Sequence, residues 1–203
     1  PINPSDLGTL VGAGDLTSIR VEGEGEQAKV IMDIPESVMW AMKPRIGKPL
    51  PVGNEGSGIV TEAGENAKHL IGKVVSAVGG GMYAQYRVLP AMACIEMPDD
   101  IEPKDCASSF VNPLTALGMV ETMKSEGHSA LIHTAAASNL GQMLVKICLA
   151  DNIPLINIVR KPEQVDLLKS LGAEYVCNSS DDNFKDSLVE AIKATNATLA
   201  FDA

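Results

Sequence analysis

Apolar positions along this chain change their rhythm partway. In the second half, short apolar runs alternate with helical stripes. Ala130 to Ile132 is a run of strand length, and Leu140, Met143, Leu144 and Ile147 follow at helical spacing. Leu155 to Val159 is a second strand-like run. Val165, Leu167, Leu168 and Leu171 predict a helix over residues 163–171, which Gly172 stops. Tyr175 to Cys177 predicts a third strand. Leu188, Val189 and Ile192 predict a helix over residues 184–194, and residues 198–201 predict a fourth strand. Strand and helix in strict alternation imply a parallel sheet with right-handed crossovers.

The first half has no such beat. Pro1 to Leu7 is turn chemistry, with Ser5 or Asp6 as the expected cap of a short helix reaching Leu10. Between residues 18 and 34, two expected strands flank the acidic patch Glu22-Gly-Glu-Gly-Glu26. Val38, Met39 and Met42 share a face of a short helix expected over residues 34–43, and Trp40 reads as a packing anchor. Glycines at 53, 56, 58 and 64 punctuate a further strand. Val74 to Val78 reads as a strand, Gly79 to Gly81 as a tight turn and Tyr83 to Leu89 as another strand. Pro98 to Pro103 is linker-like. Residues 105–126 read as helical, with Asn112 as cap and Pro113 at the first helical position of the longer piece. The expected organisation is a β-rich domain over residues 1–100, a bridging helical segment over 101–128, and a nucleotide-binding fold over 129–203.

The chemistry is concentrated after the strand at Ala130. Small residues fill the turn, as Ala135-x-x-Ser138-x-x-Gly141, before the helix begins. A turn this small lets backbone N–H groups approach a pyrophosphate, and the helix N-terminus adds unpaired donors and a favourable dipole. The same small residues also suit an ordinary crossover in which a helix packs tightly on a sheet. At the end of the second strand, the acid that would hold the ribose 2′-hydroxyl of NAD is missing, and Arg160-Lys161 follow Val159 directly. Two cations at the position that decides cofactor choice favour the 2′-phosphate of NADP. The alternative is a solvated pair of charges at a strand end.

Composition narrows the picture. The 203 residues are 45% hydrophobic with a formal net charge of −10, which suits a globular protein and disfavours nucleic-acid or membrane-surface partners. No apolar run is long enough to span a bilayer and no basic-then-apolar segment opens the chain, so the cytoplasm is the expected compartment. The four cysteines (94, 106, 148, 177) form no CxxC pair, and Cys148 and Cys177 read as small buried hydrophobes. The three histidines do not cluster; His133, at a strand end, reads as packed or hydrogen-bonded.

Several stretches together carry a family resemblance: Asn3-Pro-Ser-Asp6, Gly53-Asn-Glu-Gly56 with Gly58, Tyr83-Ala-Gln-Tyr86, Asn112-Pro-Leu-Thr-Ala116, Ala135 to Gly141, and Leu171-Gly-Ala173. In this order they resemble the medium-chain dehydrogenase/reductase superfamily, and within it the zinc-independent branch of NADPH:quinone oxidoreductases. The mitochondrial-type enoyl-thioester reductases are near relatives. The resemblance implies an α/β fold: a GroES-like, mostly-β catalytic domain plus a doubly wound Rossmann domain, both cut short here.

The resemblance also assigns roles. Asn3 would line the substrate side of the cleft. Asn112 and Thr115 would lie near the cofactor. Ala137, Ser138, Asn139 and Leu140 would face the pyrophosphate, and Arg160 and Lys161 the 2′-phosphate of NADPH. Zinc alcohol dehydrogenases of this superfamily place a Cys near the Asn3 to Asp6 region and a His at the position of Asn54, so no metal is expected here. Enoyl reductases carry a tyrosine soon after the Asn-Pro-Ser-Asp stretch. This chain has Gly8-Thr-Leu-Val-Gly-Ala-Gly14 instead, so no catalytic acid is assigned, and Tyr83 and Tyr86 read as packing residues. The expected partners are a small-molecule acceptor and, in the full-length protein, a second copy in a homodimer.

Overall fold

The structure is a computed structural model and describes residues 1–202. It divides into two compact units, residues 1–109 and 110–203, so the boundary falls inside the expected bridging segment. Among the described residues, no helix is long and apolar enough to cross a membrane.

The first unit opens with helix α1, Pro4–Leu10. Its cap position is Asn3, not Ser5 or Asp6. Pro4 takes the first helical position, where a missing N–H costs nothing, and Asp6 lies in the first turn. A small antiparallel hairpin follows, β1 (Arg20–Glu22) and β2 (Lys29–Ile31), with Val21 opposite Val30 and the acidic patch at its tip. The helix expected over residues 34–43 is broken up. It consists of a 3-10 turn at Glu36–Val38, a single α-helical turn α2 (Met39–Met42) and a second 3-10 turn at Lys43–Arg45, where Pro44 lacks the N–H to continue it. Trp40 is 79% exposed and anchors nothing in this unit.

Three antiparallel strands complete the unit, in the order β3 (Glu55–Ile59), β4 (Val74–Val78), β5 (Cys94–Glu96). The strand expected over residues 83–89 is absent. Tyr86 and Val88 lie in solvent, no strand pairs with this stretch among the described residues, and Cys94–Glu96 takes the place beside β4. An apolar alternation without a partner strand has no ladder to join. Helix α3, Pro103–Cys106, buries the Cys106 side chain; its Cys106 carbonyl accepts from Ser76 Oγ at 3.0 Å.

The second unit begins with α4, Val111–Ser125. It starts one residue before the expected cap, so Asn112 and Pro113 fall within its first turn. That turn has no intrahelical acceptor for its N–H groups, and proline is tolerated there. The elements β6 (Leu131–His133), α5 (Asn139–Ala150), β7 (Leu155–Val159), α6 (Pro162–Ser170), β8 (Tyr175–Asn178), α7 (Phe184–Thr195) and β9 (Leu199–Phe201) then follow in alternation. All four strands are parallel, in the order β8-β7-β6-β9. The chain therefore builds outward from β6 on one side and then returns to β6's other edge, which is the doubly wound arrangement.

Residue alternation explains why both faces of this sheet are covered. Leu131, Leu155 and Val159 point to one face, where Ala116, Val120 and Met123 of α4 and Leu144, Val145 and Cys148 of α5 close over them. Ala130, Ile156 and Cys177 point to the other, against Ala191 of α7. Each fully buried Leu, Ile or Val here contributes about 1.5–3 kcal/mol. Burial pushes the Cys148 thiol up to about 12, so it stays protonated and acts as a small hydrophobe, as does the buried Cys177.

Candidate functional site

The reversal in strand order lies between β6 and β9, and a crevice opens at the C-terminal ends of these strands. Its volume is about 550 Å³. The floor is Thr134 to Ser138, which follows β6; the walls are Ile158, Val159 and Arg160 from the end of β7, Gln164 from α6, Ser179 after β8 and Asp202 after β9. In open α/β sheets this is where ligands bind.

The turn is held open by backbone geometry. Ala135 sits at φ +50, Ala136 N–H donates to Ile158 O at 3.2 Å, and Ser138 N–H donates to Ala135 O at 2.9 Å. Ser138 then caps α5, its Oγ accepting from Gly141 N–H at 3.1 Å. Gly141 is a steric requirement. A Cβ there would stand 2.1 Å from Ala136 O, so only glycine lets the helix sit this close to the turn. The N–H groups of Ala137, Asn139 and Leu140 find no acceptor in the protein among the described residues. With the α5 dipole behind them, they form a preorganised cradle for an anion. The expected residues Ala137, Ser138, Asn139 and Leu140 thus meet at one helix start.

Arg160 lines the same crevice, at the far end of β7. Lys161 does not line it; its ammonium lies 3.8 Å from the Glu163 carboxylate, and both side chains are largely in solvent. Asn112 and Thr115 lie in the first turns of α4 and do not line it either. The Thr115 hydroxyl donates to Val111 O at 2.6 Å, a bond within its own helix. Asp202, which follows β9, accepts from the Thr134 hydroxyl at 2.5 Å.

His133 and Asn157 occupy one register row of the sheet, on the face that α4 and α5 cover. His133 is wholly buried, and among the described residues neither ring nitrogen has a hydrogen-bond partner. The expectation of packing holds, and no hydrogen bond accompanies it. Burial holds its imidazole below the usual range, with the nearby Asp202 charge partly offsetting this. Asn157 Nδ2 donates to Leu155 O and Tyr175 O, each at 3.2 Å.

In the first unit, three stretches far apart in sequence converge on Asn3. Asn3 Nδ2 donates to Glu55 Oε1 at 2.9 Å, and Asn3 N–H donates to Asp6 Oδ2 at 2.8 Å. Asp6 Oδ1 accepts from Asn54 N–H at 3.0 Å, and Asn54 Nδ2 donates to Ser5 Oγ at 2.7 Å. The Tyr83 hydroxyl donates to Pro1 O at 2.9 Å and reaches Asp6 Oδ2 at 3.4 Å. Loss of solvation, with the Asp6 charge beside it, holds the Tyr83 phenol above its ordinary range, so it stays protonated. Gly53, at φ +94, makes this approach possible: a Cβ would stand 2.3 Å from Tyr83 Cδ1. Asn3, Asp6 and Glu55 are all buried. Buried carboxylates survive only with partners, and Asp6 has three. As a site residue Asn3 alone is legible in the sequence, where Asp6 reads only as a helix cap and Tyr83 as a packing residue. A signal for the others was present, since Asp6 and Glu55 are charges set among the small and turn-forming residues that carry the resemblance. Among the described residues, no group of three or more His, Cys, Asp and Glu side chains is arranged to hold a metal ion.

No protein-family model matches the chain. It is 30% identical to the human mitochondrial enoyl-[acyl-carrier-protein] reductase over 89% of its own length and 43% of that protein's. It is 31% identical to mouse prostaglandin reductase-3 over 66% of its length and 36% of that protein's. Among solved structures, a Mesorhizobium loti protein assigned as an NADPH:quinone reductase is 36% identical. It superposes with a TM-score of 0.67 over 77% of this chain and 47% of its own. The chain thus spans less than half the length of these relatives. With the doubly wound sheet, the small-residue turn and the convergent Asn3 cluster, these matches establish the family: the chain belongs to the medium-chain dehydrogenase/reductase superfamily.

Proposed function

We propose that this chain is part of an NADPH-dependent oxidoreductase that delivers a hydride, without zinc, to a quinone or another activated carbonyl or alkene. The observation that carries the proposal is the crevice at the strand reversal. It combines three unsatisfied turn N–H groups at a helix start with a cation, not an acid, at the end of β7. The turn amides of Ala137, Asn139 and Leu140 would hold the pyrophosphate. Arg160 would neutralise the 2′-phosphate, with Lys161 adding to the local positive field. Asn112 and Thr115 would lie towards the nicotinamide half, and Asn3 would line the acceptor side. When bound, NADPH supplies the hydride; the protein binds it, orients it and excludes water around it. The acceptor is a small molecule, and the intact protein pairs as a homodimer without nucleic-acid or membrane partners.

A second reading, reduction of a 2-enoyl thioester, is favoured by the human enoyl reductase match, which runs across most of the chain. Against it stands the stretch of residues 8–14, from the last turn of α1 onward, which has no tyrosine to donate the proton. The test is NADPH consumption by the intact protein with a quinone series and with 2-enoyl thioesters. Turnover on quinones alone is the expected result. Turnover on thioesters alone would replace the first reading with the second, and NADPH binding with no turnover on either would contradict both in favour of a non-catalytic NADPH-binding protein.

A further inference from the structure

The crevice contains an oriented polar group that the cofactor motif does not account for. Gln164 lies in the first turn of α6 and lines the crevice beside Arg160. Its Oε1 accepts the Arg160 N–H at 3.0 Å. That bond fixes which way the amide lies. The oxygen is committed to the strand end, so the Nε2 hydrogens are directed away from it. Nε2 has no acceptor in the protein among the described residues, whereas Nε2 of Gln142, beside the turn, is already spent on Ala137 O at 3.0 Å.

The Arg160 backbone is also held from its other side. Ser180 Oγ donates to Arg160 O at 2.8 Å. Ser180 is itself fixed, with its N–H donating to Asn178 Oδ1 at 3.1 Å and Asn178 Nδ2 donating to Asp181 Oδ1 at 2.7 Å. Both main-chain polar groups of Arg160 are therefore tied by side chains. The residue that carries the charge and the amide beside it form one rigid corner of the crevice.

We propose that Gln164 is a direct hydrogen-bond donor to the phosphate on the adenosine ribose, and so a specificity-determining residue for NADPH over NADH. The inference rests on the reading of the crevice as the NADPH site. A phosphate offers several acceptor oxygens to a fixed N–H donor. A ribose hydroxyl in its place carries no charge and gains far less from the same donor.

Gln164→Glu tests this with little change in shape. The glutamate keeps an oxygen for the Arg160 N–H and replaces the Nε2 donor with a carboxylate oxygen. That oxygen repels a phosphate and accepts from a hydroxyl. Affinity is read for NADPH and NADH, and for the minimal probes 2′,5′-ADP and 5′-AMP, on the intact protein. The expected result is a loss of ~10-fold to ~100-fold for NADPH and 2′,5′-ADP, with NADH and 5′-AMP unchanged within about twofold or tighter. Equal losses for both cofactors, or no loss for NADPH, would overturn the role of Gln164. Gln164→Met, which removes the donor without adding charge, reads the same ratio should the glutamate lower the melting temperature. Its expected effect is a smaller loss, still confined to the 2′-phosphorylated ligands NADPH and 2′,5′-ADP, and an unchanged ratio would count against the proposal. Arg160→Ala separates the two levels. If it is selective for NADPH while both Gln164 variants are not, only this inference fails; if it is not selective, the NADPH reading of the crevice fails.

Discussion

Gly141 carries the most local constraint in the nucleotide-binding unit. A methyl group there overlaps the Ala136 carbonyl, which is backbone and cannot swing aside. Gly141→Ala should therefore push α5 away from the turn. We expect a loss of about 1–3 kcal/mol in stability, read by denaturant unfolding, together with weakened nucleotide binding. An alanine variant with unchanged stability and binding would contradict the close packing. His133 makes a different prediction. Its folded-state pKa is depressed, so the native state favours the neutral ring. Above about pH 6.5 the ring is neutral in both states and stability is unaffected. As pH falls below that, the unfolded chain binds the proton first, and stability declines until the folded-state pKa is passed. His133→Gln should flatten that part of the pH–stability curve, and an unchanged slope in the variant would exclude His133 as its source.

At the scale of elements, the Asn3 cluster ties α1 to the start of β3 through side chains 52 positions apart. Glu55→Ala leaves the Asn3 amide buried without this acceptor. The expected cost is about 1–3 kcal/mol. A double-mutant cycle with Asn3→Ala should recover much of that cost as coupling, whereas additive losses would mean that the two residues act independently. Elements were readable from sequence where burial imposes a period. Leu155–Val159 and Val74–Val78 match their predicted strands end for end, and the other strands of the second unit, with helices α6 and α7, shift by a residue or so. Two of the failures share one cause. Residues 83–89 alternate like a strand and Trp40 looks like an anchor, yet each is defined by a neighbour that local sequence does not contain. The Asn3 cluster was hidden for a similar reason. Its members are separated by up to 82 positions, and only the fold brings Pro1, Asp6, Asn54 and Tyr83 together.

On the scale of the whole molecule, the chain carries a net charge of −10 yet is proposed to bind a highly charged anion. The favourable interaction must then be local: fixed turn amides and Arg160 lining one crevice, working against the general field. The most direct measurement is a titration of the intact protein with NADPH and with NADH, repeated on Arg160→Ala. The account predicts tighter binding of NADPH than of NADH by the unmodified protein. In the variant, NADPH should weaken by ~10-fold or more, as loss of a hydrogen-bonded charge partner implies, and NADH should be little changed. Equal affinity for both cofactors before the substitution, or an equal loss after it, would contradict the assignment of this crevice to NADPH.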